Sequence, residues 1–214
     1  WNMALYADST SDWVNIRNWY SDNFNTLRIF APKESYNVGM SQRHNGVWDS
    51  TKSNITKSNG DIPIYFDEKL KGLIVEGLQL ANNDIDSNNS GHALNYYFQQ
   101  TEMFFVVKNN ILVKGGATWW DACGIKTASI NSRSRLYFYN NVIDGFGRGI
   151  CLYAPNYNNS ITVVDNNTII NSSNRSINLS DYGTNNAYIF RNNVTQRSAG
   201  ADYAIGGMPD TLIA

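Results

Sequence analysis

A chain of 214 residues is long enough for one good core, and its seventeen basic and eighteen acidic side chains leave a formal charge of −1. It therefore offers no global electrostatic footprint for nucleic acid or an anionic membrane. It holds no run of about 18 apolar residues and no basic-then-apolar leader before Trp1, so neither a membrane span nor a signal peptide is expected.

In chain order, STSDWVNIRNWYSDN at 9–23 opens on Ser, Thr and Asp and carries apolar residues at 13, 16, 19 and 20, a spacing that predicts a short amphipathic helix. TLRIFAP at 26–32 reads as a strand. NVGMSQRHNGVWDSTKSN at 37–54 reads as a Gly/Asn-rich loop, and IPIYFD at 62–67 as the strand that opens a repeating region.

From there one phrase recurs: VVKNNILVK at 106–114, YFYNNVIDG at 137–145, VVDNNTIIN at 163–171 and YIFRNNVTQ at 188–196. The Asn pairs step from 109 to 140, 166 and 192, spacings of 31, 26 and 26, and LIVEGLQL at 73–80 is a degenerate earlier copy with Gly77 in the first Asn slot. A second phrase follows each copy, as in GHALNYYF at 91, GIKTASI at 124 and GICLYAP at 149. The segments are short, β-branched or aromatic, and bounded by Gly, Asn and Asp, so they predict strands. A repeat of this period predicts a solenoid. The expected fold is all-β: a right-handed parallel β-helix of about five coils. Residues 61–214 form the β-helix, and residues 1–60 form an N-terminal cap whose short helix covers the open end. ADYAIGGMPDTLIA at 201–214 contains no capping pattern, so the last coil is expected to be a self-association surface.

Aligned by column, Val107, Phe138, Val164 and Phe190 fall two places before the Asn pair and should face the core. Glu76, Lys108, Tyr139, Asp165 and Arg191 fall one place before it and should face outward, with Glu76 beside Lys108 and Asp165 beside Arg191. Asn tolerates the left-handed conformation of a bend, and stacked amides can bond to one another as a ladder. Cys123 aligns with Arg148 and Cys151 with Lys126. A straight strand then separates the two cysteines by about 10 Å, so no disulfide is expected.

The V-x-N-N-x-I and G-I-x-L-Y phrases resemble right-handed parallel β-helix proteins of the pectate-lyase-like superfamily. RIFAPKESYNVGMSQRHNGVWDSTK resembles the opening region of uncharacterised repeat proteins of that kind from bacteria and their phages. The resemblance covers about residues 60–207 and implies the fold; the superfamily includes polysaccharide lyases and hydrolases, tailspikes, adhesins and surface proteins.

The repeat is interrupted on one rim by ANNDIDSNNSGH at 81–92 and KGGATWWDACG at 114–124. Adjacent insertions are how a repeat scaffold builds a site. They bring Asp84, Asp86, His92, Trp119, Trp120 and Asp121 together, with Arg148 one coil further on. Trp119 and Trp120 offer flat faces to a pyranose, with Asp86 and His92 beside them for hydroxyls; the competing reading is that the Trp rings cover their own loop. Asp84 or Asp86 with Asp121 could serve as the acid and base of a glycosidase. Asp84 and Asp86 have oxygens for Ca²⁺ but lack the rest of an EF-hand, so no metal site is assigned. Lys126 and Arg148 are candidates for β-elimination on a uronate, one as a base of lowered pKa and one as a carboxylate partner, although the acidic Ca²⁺ cluster of the superfamily's lyases is missing. His44 and His92 read as polar loop residues. The function expected is a non-catalytic extracellular module, binding polysaccharide or cell-surface glycan or serving in a surface fibre. The alternatives are a polysaccharide-degrading enzyme with its site on this rim and a self-stacking filament subunit.

Overall fold

A computed structural model describes residues 1–7, 13–22, 25–34, 40–58, 61–84, 91–98, 100–116, 120–128, 130–154, 158–181, 184–197, 201–206 and 211–213. The strands assemble into three sheets of eight, seven and six strands in which every neighbour is parallel. The chain visits them in a fixed order. A typical coil runs from Phe104–Lys108 in the first sheet to Ile111–Lys114 in the third, Cys123–Ala128 in the second, and back to Arg135–Tyr139 in the first. This is a parallel β-solenoid of about six turns.

The sequence columns become structural columns. Val107, Phe138 and Val164 are fully buried and Phe190 nearly so. Inside, Phe66, Tyr96, Phe105 and Phe138 stack up the axis with centroids 5.1 to 5.9 Å apart. Each such side chain contributes roughly 1.5–3 kcal/mol by leaving water. Outside, Lys108 lies 3.5 Å from Glu76 and Arg191 2.6 Å from Asp165, as the alignment requires.

At the corner between the first and third sheets, the two members of each Asn pair do different work. The first takes the left-handed bend: Asn109, Asn140, Asn166 and Asn192 have φ between 52° and 56°, and Gly77 in the same slot has φ 70°. The second forms a buried ladder. Asn110 Nδ2 donates to Asn141 Oδ1 at 3.0 Å, Asn141 to Asn167 at 2.9 Å, and Asn167 to Asn193 at 3.0 Å. Each Oδ1 also accepts a backbone amide from the coil below, so no ladder rung relies on a single bond.

Three expectations need correction. First, the helix at 9–23 is not formed over residues 13–22, the part of it the structure describes. Val14–Ile16 is instead a strand, pairing with Ile64–Phe66. Trp, Asn, Ile and Tyr are poor helix formers, and Asn18 sits at φ 55°, which ends any helical run. An unpaired sheet edge wins the segment. Second, Asn2–Ala4 and Leu27–Phe30 join the first sheet, so strands of the solenoid begin near residue 2 and the turns number about six rather than five.

Third, Cys123 and Cys151 form a disulfide, with Cα atoms 6.1 Å apart. The register is the expected one, Cys123 beside Arg148 and Lys126 beside Cys151. The fault lies in treating the strand as straight. The strand is irregular at Gly124 and Gly149: the register passes over both, and Cys123, Gly124 and Ile125 are buried in succession instead of alternating. Three residues of a bent strand span less than three in line.

Candidate functional site

The rim loops are braced before they present anything. Asn82 Nδ2 donates to the carbonyls of Asp61 and His92, and its Oδ1 accepts the Asp84 amide at 2.9 Å. Lys114, one coil on, reaches Asn82 O and Oδ1 at 3.3 Å and also bonds Asp84 O. Burial holds the Lys114 amine below the usual lysine range, with Asp84 opposing the shift. Asp84 is itself only 2% exposed, and the loop that follows it, residues 85–90, lies outside the described residues. Asp86 and Trp119 lie outside the described residues. Among the described residues no three His, Cys, Asp or Glu side chains gather as metal ligands.

The remaining candidates converge. Arg148, at the start of strand Arg148–Ala154, is buried and bonds Asp121 Oδ1 at 2.5 Å. It also donates to Tyr153 Oη, and Tyr153 Oη lies 3.4 Å from Asp121 Oδ1, closing a three-membered network. The Arg148 guanidinium rests 5.2 Å from the Trp120 ring, a cation–π contact, while that Trp stays 56% exposed. Asn174, two coils beyond Trp120, donates to the Trp120 carbonyl at 3.1 Å. Lys126 Nζ stands 5.8 Å from the Tyr153 ring and 3.1 Å from His92 Nε2. Arg175, the register neighbour of Arg148, bonds Asn178 Oδ1 at 2.6 Å and has no carboxylate partner among the described residues.

Electrostatics follow from this crowding. Burial drives His92 well below its ordinary pKa, and Lys126 and Arg148 push the same way. Burial lowers Lys126, with Arg148 adding to the effect and Asp121 opposing it. Burial raises the Tyr153 phenol, although Arg148 works against that. The patch thus joins an exposed indole, two guanidinium groups and an amine around one described carboxylate, Asp121, an arrangement suited to an anionic ligand with a flat apolar face. No family model, curated protein or solved structure matches the chain. The site is therefore read from its own geometry.

Tyr153 and Arg175 escape sequence reasoning. The signal was present for Tyr153, which stands two places after Cys151 and so shares its outward face. For Arg175 it was the register with Arg148 across a short rim loop. Away from this patch, a concavity of about 440 Å³ opens on the first sheet around Arg28, Arg43 and Glu76. Glu76 bonds both arginines at 2.9 Å, which makes this cluster a staple tying the first strands and the 40–53 loop to the stack. His44 serves the same loop, its Nε2 lying 2.9 Å from Asn109 O.

Proposed function

We propose that this solenoid is a secreted or cell-surface module that binds an acidic glycan on the patch formed by Trp120, Asp121, Lys126, Arg148, Tyr153 and Arg175. The observation that carries this is the exposed Trp120 ring laid beside the Arg148 guanidinium. A pyranose can stack its C–H face on the indole, while the neighbouring cations take a carboxylate or sulfate and Asp121 and Tyr153 take hydroxyls. The disulfide supports an oxidising compartment, and the repeat phrases support kinship with right-handed β-helix proteins of the pectate-lyase-like kind.

The test is an array of neutral, uronate-containing and sulfated oligosaccharides probed with the native chain and with Trp120→Ala. The expected result is retention confined to acidic glycans, weakened by salt and lost in the variant. Equal retention by both proteins would return Trp120 to a packing role.

A second reading, β-elimination on a uronate polymer, is favoured by Lys126, an amine of lowered pKa beside Arg148. Its signature is the ultraviolet absorbance of an unsaturated product, absent with Lys126→Met.

A further inference from the structure

We infer that Lys126 is held as an uncharged, nucleophilic amine by the tautomer imposed on His92, and that it captures aldehydes carrying a carboxylate as imines. The premise is geometric. The backbone N–H of Cys123 donates to His92 Nδ1 at 2.9 Å. A nitrogen that accepts carries no proton, so a neutral imidazole must carry its hydrogen on Nε2. Turning the ring over would set carbon atoms against both neighbours, and a doubly protonated ring would point an N–H at the Cys123 amide. The Nε2–H therefore faces Lys126 Nζ at 3.1 Å. An ammonium has no lone pair to accept it, whereas an amine does. The contact is a hydrogen bond only when Lys126 is neutral.

The surroundings agree. From its own coil Lys126 faces Asp121, which is committed to Arg148 at 2.5 Å. From strand Arg148–Ala154 come Arg148, Tyr153 and the register neighbour Cys151, which is disulfide-bonded and does not titrate. From strand Leu94–Phe98 comes the neutral Asn95, and His92 precedes that strand. Burial lowers the affinity of both Lys126 and His92 for protons. Lys126 nevertheless remains part-exposed. Two polar atoms of this neighbourhood, Asn95 Oδ1 and Arg148 Nε, are buried without a hydrogen-bond partner.

The reaction balances without a co-reactant. The Lys126 lone pair forms a C–N bond to the aldehyde carbon, and the two amine hydrogens leave with the carbonyl oxygen as water, giving a neutral imine. The Arg148 guanidinium, whose charge acts on Lys126, takes the substrate carboxylate, so the class is an oxo acid or the open-chain form of a uronic acid. The inference stands on the His92–Lys126 contact and not on glycan binding.

Glyoxylate with cyanoborohydride, applied to the intact oxidised chain near neutral pH and followed by peptide mapping, tests it. Lys126 should be alkylated about tenfold faster than the exposed Lys33 for each unit by which its pKa lies below that of an ordinary lysine. Lys126→Met should lose that adduct and keep the others. Because a variant can misfold, the ¹⁵Nζ shift of Lys126 is also titrated in the native protein. Labelling spread evenly over the exposed lysines, or a Lys126 nitrogen that deprotonates together with them, would overturn the inference. A chain that labels at Lys126 yet binds no glycan removes only the glycan reading.

Discussion

At the scale of single residues, the Asn pair separates into a conformational and a hydrogen-bonding role, and the two should respond differently to substitution. Asn141→Ala strips the acceptor from the buried Asn110 amide and from its side chain, at a cost of roughly 1–3 kcal/mol for each donor left unpaired. Asn140→Ala keeps a Cβ in the left-handed bend at φ 52° but removes the short amide that lets Asn tolerate it, costing about 1 kcal/mol, whereas Asn140→Gly should be close to neutral. Urea midpoints of the three variants check the order. That Asn serves the bend and the ladder was legible from its recurrence; which of the pair did which was not, because the pair reads as NN in both roles. The histidines give a pH signature. His92 and His44 are both held below their ordinary value, burial being the main cause. Above about pH 6.5 both states are neutral and nothing is lost. As pH falls below that, the unfolded chain takes up protons that the folded chain refuses. Stability should then drop by up to about 1.4 kcal/mol per pH unit for each His until the folded-state values are reached. Unfolding midpoints at pH 7.0 and 5.5 should show the drop, reduced in His92→Gln.

Among the elements, strands were legible and their straightness was not. The alternation Val107–Lys108 and Val164–Asp165 fixed which face went inward, and the pairing Cys123 with Arg148 followed from counting. The disulfide was missed because counting along a straight strand does not anticipate the irregularity at Gly124. The segment 13–22 was misread because Trp13, Ile16, Trp19 and Tyr20 satisfy a helical spacing while only Ile16 is buried, against the edge strand it joins. Closing a loop with a sequence separation of 28, the disulfide should contribute about 3 kcal/mol, chiefly by restricting the unfolded chain. Denaturant midpoints of the oxidised chain and of Cys123→Ser/Cys151→Ser measure it. The variant should also loosen the bracket that holds Asp121 close to Arg148.

For the molecule as a whole, a stack in which each coil touches only its neighbours concentrates novelty where the repeat is broken. The insertions at 81–92 and 114–124 were visible as breaks in period, and with them His92, Trp120, Asp121 and Lys126. What could not be read was which rim residues turn inward: Asp84 and Lys114 look like surface groups in sequence and are buried, with Lys114 bonding the Asp84 carbonyl. Tyr153 could have been read from its place two residues after Cys151 on the same face. Calorimetric titration of the native chain and Trp120→Ala with a uronate oligosaccharide and its neutral counterpart, at low and raised salt, is the most direct measurement. Binding of the acidic sugar alone, weakened by salt and abolished in the variant, is the result the site geometry predicts; equal binding of both sugars, or binding indifferent to Trp120, would contradict it.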